Sequence, residues 1–191
     1  MPHIKLRSDL FGITSLLDYR SATAGPICDL TQLLLRGPST LLESERELIA
    51  TYVSYLNNCT FCTTAHAAAT CLLPEGNLEQ IEALKQSLAT APLSDKMRAL
   101  LRIAAKVQQS GQAVQGSDAD AARAAGASDL EIHDTVLIAA LFCMYNRYVD
   151  GLAAATPSDP NYYEALGKRI TTRGYAAPSN GYQTLTYEPK D

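Results

Sequence analysis

The chain has 191 residues, which suits one domain with a terminal extension, and 47% of them are hydrophobic, which suffices for a packed core. Its formal net charge is −4, and no block of Lys or Arg interrupts this acidic balance. That charge argues against a surface for nucleic acid or anionic membranes. The longest uncharged apolar run, residues 135–146, is too short to span a bilayer, and the N-terminus lacks the apolar core of a secretory signal. We therefore expect a cytoplasmic protein with no nucleic-acid or membrane partner.

Helical periodicity dominates the chain, and no run alternates as a strand bounded by hairpin turns. Ser44 and Glu47 fit a capping box before one helix, and Ser128 and Glu131 fit another before the longest and most apolar helix. Arg147 lies among apolar residues of that last helix, so we expect it to be buried against a carboxylate. In chain order, the predicted helices cover residues 27–36, 48–56, 59–73, 78–89, 97–109, a short Ala-rich stretch from 117 to 126, and 132–149.

The composition changes after residue 155. From Thr156 onward, Pro and Gly are spread among Tyr and Thr, which predicts an extended C-terminal tail. The five tyrosines between Tyr162 and Tyr187 suggest that this tail packs on a surface or on a neighbouring subunit. We therefore predict a helical domain over residues 1–155 and a tail over residues 156–191.

The most informative motif is Cys59-Thr-Phe-Cys62-Thr-Thr-Ala-His66, at the start of a predicted helix. A helix N-terminus favours the thiolate form of cysteine, and residues four apart share a helix face, so His66 can take the Cys62 proton directly or through a water. Cys59 is spaced to attack a mixed disulfide or a sulfenate on Cys62. The small ring of a CxxC disulfide would be easily reduced again, so the motif predicts redox cycling.

Other readings of the thiols stay open. Zinc could be held by Cys59, Cys62, His66 and a distant residue, or both cysteines could be ordinary buried residues. A static disulfide is disfavoured by the odd number of cysteines and the expected compartment. The remaining cysteines lie in apolar helical surroundings and are interpreted as small buried side chains: Cys28, Cys71 and Cys143.

Glu47 lies twelve residues before Cys59 on the preceding helix. If the chain reverses at Asn57-Asn58, Glu47 approaches His66 more readily than Cys59, and a carboxylate there would orient the imidazole and raise its basicity. The alternative is that Glu47 is the third residue of the capping box and bonds the Ser44 backbone. Spacing alone leaves both open.

Together, Arg46-Glu47, the step to Cys59-x-x-Cys62-x-x-x-His66, and the later Phe142-Cys-Met-Tyr-Asn146-Arg147 resemble the AhpD-like alkylhydroperoxidases. These belong to the carboxymuconolactone decarboxylase superfamily, and the peroxidase-related sub-group is the most similar. The resemblance covers roughly residues 40–155. It implies an all-α bundle of about six to eight helices, a homo-oligomer (trimer or hexamer), and no metal or organic cofactor.

The resemblance also implies roles. Glu47 and His66 would deprotonate Cys62, the peroxide-attacking thiol, and Cys59 would resolve it to a disulfide that an external dithiol reduces. One departure stands out, because the best-understood AhpD proteins carry a second histidine where this chain has Phe61. Tyr55 could supply a hydroxyl instead, or could simply pack.

The leading hypothesis is therefore a thiol-dependent peroxidase or disulfide reductase whose partners are a hydroperoxide and an external dithiol reductant. One alternative is a redox-sensing oligomeric interaction protein. Another is an enzyme of decarboxylase or isomerase type on the same scaffold, with Cys59 and Cys62 silent.

Overall fold

The computed structural model describes residues 1–187, which form nine α-helices and two short 3₁₀ turns without any strand. Eight of the α-helices lie within residues 1–155, so the predicted all-α bundle is confirmed. The helices are α1 (Gly12–Tyr19), α2 (Ser21–Arg36), α3 (Glu43–Leu56), α4 (Thr60–Leu72), α5 (Leu78–Gln86), α6 (Asp95–Gln109), α7 (Gly116–Ala124), α8 (Asp129–Gly151) and α9 (Pro160–Arg173), and the 3₁₀ turns are Gly111–Ala113 and Tyr182–Leu185.

The first three helices differ most from the sequence prediction in where they begin. Helix α1 was not predicted, and α2 begins at Ser21, so that Pro26 lies inside it although it was expected to open it. Helix α3 begins at Glu43, because the carboxylate of Glu45 accepts the backbone N–H of Leu42. The predicted capping box at Ser44 is therefore wrong, whereas the one at Ser128 before α8 is confirmed.

The main core lies between α3, α6 and α8, whose buried faces are made of aliphatic side chains such as Ile49, Leu100 and Ile138. A second cluster of buried residues joins α4 to α9 and contains Cys59 and Cys62. Sulfur atoms in such a cluster are shielded from bulk water. The thiols therefore lie at the boundary between the helical body and the C-terminal segment.

A tight reversal joins α3 to α4. Asn58 adopts a left-handed conformation with φ of 59°, which Asn tolerates better than most residues. Its backbone N–H binds the Tyr55 carbonyl, and that of Cys59 binds the Ser54 carbonyl. Cys59 is thus the N-cap residue of α4, and Cys62 lies in its first turn.

The expected extended tail is wrong for residues 160–173, which form helix α9. Asp159 caps this helix by accepting the backbone N–H of Asn161, and Pro160 occupies its first turn. The periodicity of Tyr162, Leu166 and Ile170 gives it an apolar face, which packs on α4. Gly167 allows the close approach, since a Cβ there would lie 3.1 Å from Ala68 atoms.

Residues 188–191 of the predicted tail lie outside the described residues. Among residues 1–187, no helix combines the length and apolar character needed to cross a bilayer.

Candidate active site

The α3–α4 reversal brings Glu47 and His66 together. Imidazole Nδ1 of His66 lies 2.6 Å from Oε2 of Glu47, so the interpretation that Glu47 approaches His66 is confirmed. The capping alternative for Glu47 fails, because Glu45 fills that place. With Nδ1–H donating to the carboxylate, Nε2 is the ring nitrogen left to accept a proton.

Two further side chains complete the surroundings of Glu47, which is 0% exposed. Nη2 of Arg36 donates to Oε1 at 2.5 Å, and the hydroxyl of Tyr175 donates to the same oxygen at 2.5 Å. The guanidinium of Arg36 also stacks over the Tyr175 ring, 5.0 Å from its centroid. Neither residue was predicted, because Arg36 ends α2 and Tyr175 follows α9, and no sequence signal connects them to Glu47.

The position of Tyr175 depends on the turn that ends α9. Gly174 has a φ of +68°, and a Cβ there would collide with Oε1 of Gln32. That same oxygen accepts the backbone N–H of Tyr175 at 2.6 Å. The turn therefore anchors the C-terminal segment to α2 and directs the phenol to the carboxylate.

The electrostatic balance keeps Glu47 ionised. Burial raises the pKa of Glu47. The charge and hydrogen bond of His66, together with the charge of Arg36 and the hydroxyl of Tyr175, lower it by more. The pKa of Glu47 therefore lies below its ordinary value. Burial and the adjacent Glu47 charge raise the pKa of Tyr175 well above 10. Tyr175 thus stays protonated and acts as a donor.

The two cysteines of the motif differ in accessibility. Cys59 is 0% exposed, whereas Cys62 is 4% exposed and lines a cavity together with His66. Cys62 and His66 are one turn apart on α4, but no hydrogen bond joins them among residues 1–187. Proton transfer between them therefore needs a bridging molecule or a small side-chain movement.

The expected low pKa of Cys62 is not what this geometry favours. The adjacent Cys59 thiol and burial together raise the pKa of the Cys62 thiol, and the nearby amide of Asn146 opposes the shift. A negative charge on one of two adjacent thiols disfavours ionisation of the other. The Cys62 thiol therefore holds its proton more tightly than an isolated cysteine does.

Asn146 links this pair to the α3–α4 turn. Its amide nitrogen donates to the hydroxyl of Ser54 at 3.0 Å, and its oxygen accepts the amide of Asn57 at 2.8 Å. The side chain is almost completely buried, so it is held in one orientation beside Cys62. Asn146 stood in the family-like motif, but its effect on the thiol pKa was not predicted.

Neither Phe61 nor Tyr55 supplies a proton carrier at the site. Phe61, which replaces the family's second histidine, packs against Tyr162 and Tyr163 with ring centroids about 6 Å away. Tyr55 does not reach the site, because its hydroxyl binds the Lys85 carbonyl at the surface. The hydroxyl near His66 belongs to Tyr175, 3.3 Å from Nδ1.

The cavity in front of Cys62 has a volume of about 390 Å³ and is mainly apolar. Helix α4 forms one wall with Phe61, Cys62 and His66, and α9 forms another. The segment after α9 closes a further side, so the C-terminal region belongs to the site. Cavities of this size bind small organic ligands.

Other predicted residues lie elsewhere. Arg147 is exposed, and within residues 1–187 its guanidinium bonds only the Cys143 carbonyl of its own helix, so its predicted burial is wrong. Cys71 is exposed rather than buried, Cys143 is half-buried, and only Cys28 fits the prediction fully. For zinc, no cluster of three His, Cys, Asp or Glu side chains within residues 1–187 has a suitable arrangement.

Comparison with known proteins places the fold. No protein-family model and no curated protein matches the chain. Among the solved structures that match it, two have a TM-score of 0.71 each. One is an uncharacterized peroxidase-related protein from Silicibacter sp. TM1040, 27% identical, with 80% of this chain and 78% of that chain covered. The other, described as an alkylhydroperoxidase AhpD core from Ralstonia eutropha JMP134, is 23% identical, with 81% and 79% covered. The chain has the AhpD-like helical fold that its motif suggested.

Proposed function

We propose that the protein is a thiol-dependent peroxidase that reduces organic hydroperoxides through Cys62 and Cys59. The observation that carries this proposal is the cavity onto which Cys62 and His66 both open, with Glu47 bound to the far nitrogen of His66. The similarity to a peroxidase-related protein and to an AhpD core supports the same chemistry.

The reaction begins with one proton leaving the thiol pair. When the negative charge is on Cys62, its sulfur attacks the terminal oxygen of the hydroperoxide, and the O–O bond breaks. Cys62 becomes a sulfenic acid, and the leaving alkoxide takes the proton and departs as an alcohol. The sulfur of Cys59 then attacks that of Cys62, forming a disulfide and releasing water. An external dithiol supplies two electrons and two protons to restore both thiols.

His66 is the base in this proposal. Glu47 holds Nδ1–H and stabilises the imidazolium that forms when Nε2 accepts a proton. Arg36 and Tyr175 keep Glu47 ionised and fixed, so they act as positioning residues. Tyr175 thereby supports the relay from the C-terminal segment, while Phe61 contributes only packing.

Turnover with a small organic hydroperoxide and a dithiol reductant tests the proposal. Cys62→Ser should abolish turnover, whereas Cys59→Ser should allow one stoichiometric oxidation to a sulfenic acid. His66→Ala should reduce the rate by about 10²–10⁴-fold, the usual contribution of a general base. Cys71→Ser, which removes an exposed thiol from the same helix, is the matched control and should be unchanged. Equal activity of Cys62→Ser and the wild type would reject the proposal.

A further inference from the structure

We propose that the substrate carries a carboxylate, which Arg169 and Arg173 bind while the hydroperoxide end of the same molecule lies against Cys62. The inference rests on the proposed function for the identity of the reacting end. The anionic subsite itself depends only on the residues that line the cavity. Its lining contains both arginines and no Asp or Glu among residues 1–187.

Arg169 is partly buried and has no carboxylate partner within residues 1–187. No ion pair involves either Arg169 or Arg173 there, so the charge of Arg169 is unbalanced. The ionisable groups that act on Arg169 most strongly are the phenols Tyr162, Tyr175 and Tyr182 and the second cation, Arg173. Burial lowers the pKa of Arg169, as expected for a cation removed from water.

Within residues 1–187, the other buried or half-buried arginines have hydrogen-bond partners: Arg36, Arg46 and Arg98. Arg36 binds the carboxylates of Glu43 and Glu47, and Arg46 donates to the carbonyls that end α2. A partly buried guanidinium without a partner is costly, and guanidinium groups bind carboxylates in a bidentate manner. A carboxylate on the ligand would supply the missing partner at Arg169.

The arrangement along α9 suits an amphiphilic ligand. Arg169 and Arg173 are one helical turn apart, and Leu166 and Ile170 line the same cavity beside them. The wall formed by α4 presents Phe61 near Cys62. An apolar chain can therefore cover the aliphatic surface between the cations and the thiol. The product alcohol keeps its carboxylate and leaves by the same route.

Binding without chemistry tests the subsite independently of peroxidase activity. Isothermal titration of the full-length Cys62→Ser protein with octanoate and with octanol compares a carboxylate with a neutral molecule of the same length. We expect octanoate to bind at least tenfold more tightly. Arg169→Gln should remove that preference but leave octanol binding unchanged, and Arg169→Lys should restore part of it. Arg147→Gln, which removes an exposed arginine from α8, should have no effect.

Turnover provides the second test. A medium-chain hydroperoxide with a free carboxylate should have a lower KM than its methyl ester, and Arg169→Gln should raise the KM of the acid alone with kcat little changed. Three results would overturn the inference. Octanoate and octanol could bind with equal affinity, the Arg169→Gln variant could keep the preference for octanoate, or octanoate could fail to bind at low millimolar concentration. Octanoate selectivity with no peroxidase turnover would keep the subsite and reject only the proposed function.

Discussion

Replacing Tyr175 by Phe removes one of three donors to the buried carboxylate of Glu47, while the ring can keep its place beside Arg36. The lost bond joins the phenol to Glu47 Oε1 over 2.5 Å, and the acceptor is charged and 0% exposed. Hydrogen bonds to charged groups contribute about 1.5–3 kcal/mol, so we expect the free energy of unfolding to fall by that amount at neutral pH. The matched control is Tyr55→Phe, which loses a neutral surface bond to the Lys85 carbonyl and should cost about 1 kcal/mol or less.

The effect of Tyr175→Phe should depend on pH. The pKa of Glu47 is lowered in the folded protein, so its ionised form stabilises the fold above the ordinary glutamate pKa. This contribution is lost as the pH falls through the folded pKa of Glu47. The difference between Tyr175→Phe and the wild type should therefore be largest at neutral pH and shrink in acid, whereas that of Tyr55→Phe should stay constant.

Urea unfolding at one protein concentration measures the free energy of unfolding of each variant and its dependence on pH, provided that the slope with denaturant is the same in all variants. The alkylation rate of Cys62 in the folded protein reports whether Tyr175 also supports His66. If Tyr175→Phe and Tyr55→Phe cost the same at neutral pH, or if their difference does not vary with pH, the assigned role of the phenol is wrong.

Three further changes test other parts of the site. Glu47→Gln should lower the free energy of unfolding by about 3–5 kcal/mol, because it leaves the charge of Arg36 buried without this partner. A variant as stable as the wild type in urea unfolding would contradict that pairing. Gly12→Ala should lower the free energy of unfolding by about 1–3 kcal/mol, because Gly12 has a φ of +50° and an added Cβ would overlap the Phe61 ring. An unchanged urea midpoint would refute this contact. Asn146→Ala should slow alkylation of the cavity-facing thiol at neutral pH and move its rate profile to higher pH, because the polar amide that lowers the thiol pKa is lost. An unaltered profile would exclude that role.

The sequence offered the relation between Glu47 and His66 as one of two alternatives, because this relation depends on local features. A chain reversal at Asn57-Asn58 between two helices sets which ends are adjacent, and helical periodicity then places Glu47 near His66. The all-α class followed from periodicity in the same way. The predicted positions of the helix starts were less accurate, as at α3, because capping depends on which side chain reaches a free backbone N–H.

The C-terminal region was harder to predict. Its Pro and Gly content suggested an extended chain, but the apolar face of α9 is stabilised by packing on α4, and Gly167 permits that contact. A propensity argument cannot include a surface formed by residues a hundred positions earlier. For the same reason, neither Tyr175 nor Arg169 was recognised as part of the site.

The sequence by itself determined the helical class and the placement of Cys59 and Cys62 at a helix start, because both depend on spacing within one segment. It gave the neighbouring positions of Glu47 and His66 as one of two alternatives, and the packing of α3 against α4 selected between them. The tertiary structure alone decided which cysteine faces a cavity, which side chains act on its thiol, and which cations and phenols surround the site. These properties depend on burial and on contacts between distant segments, and burial is a property of the packed chain.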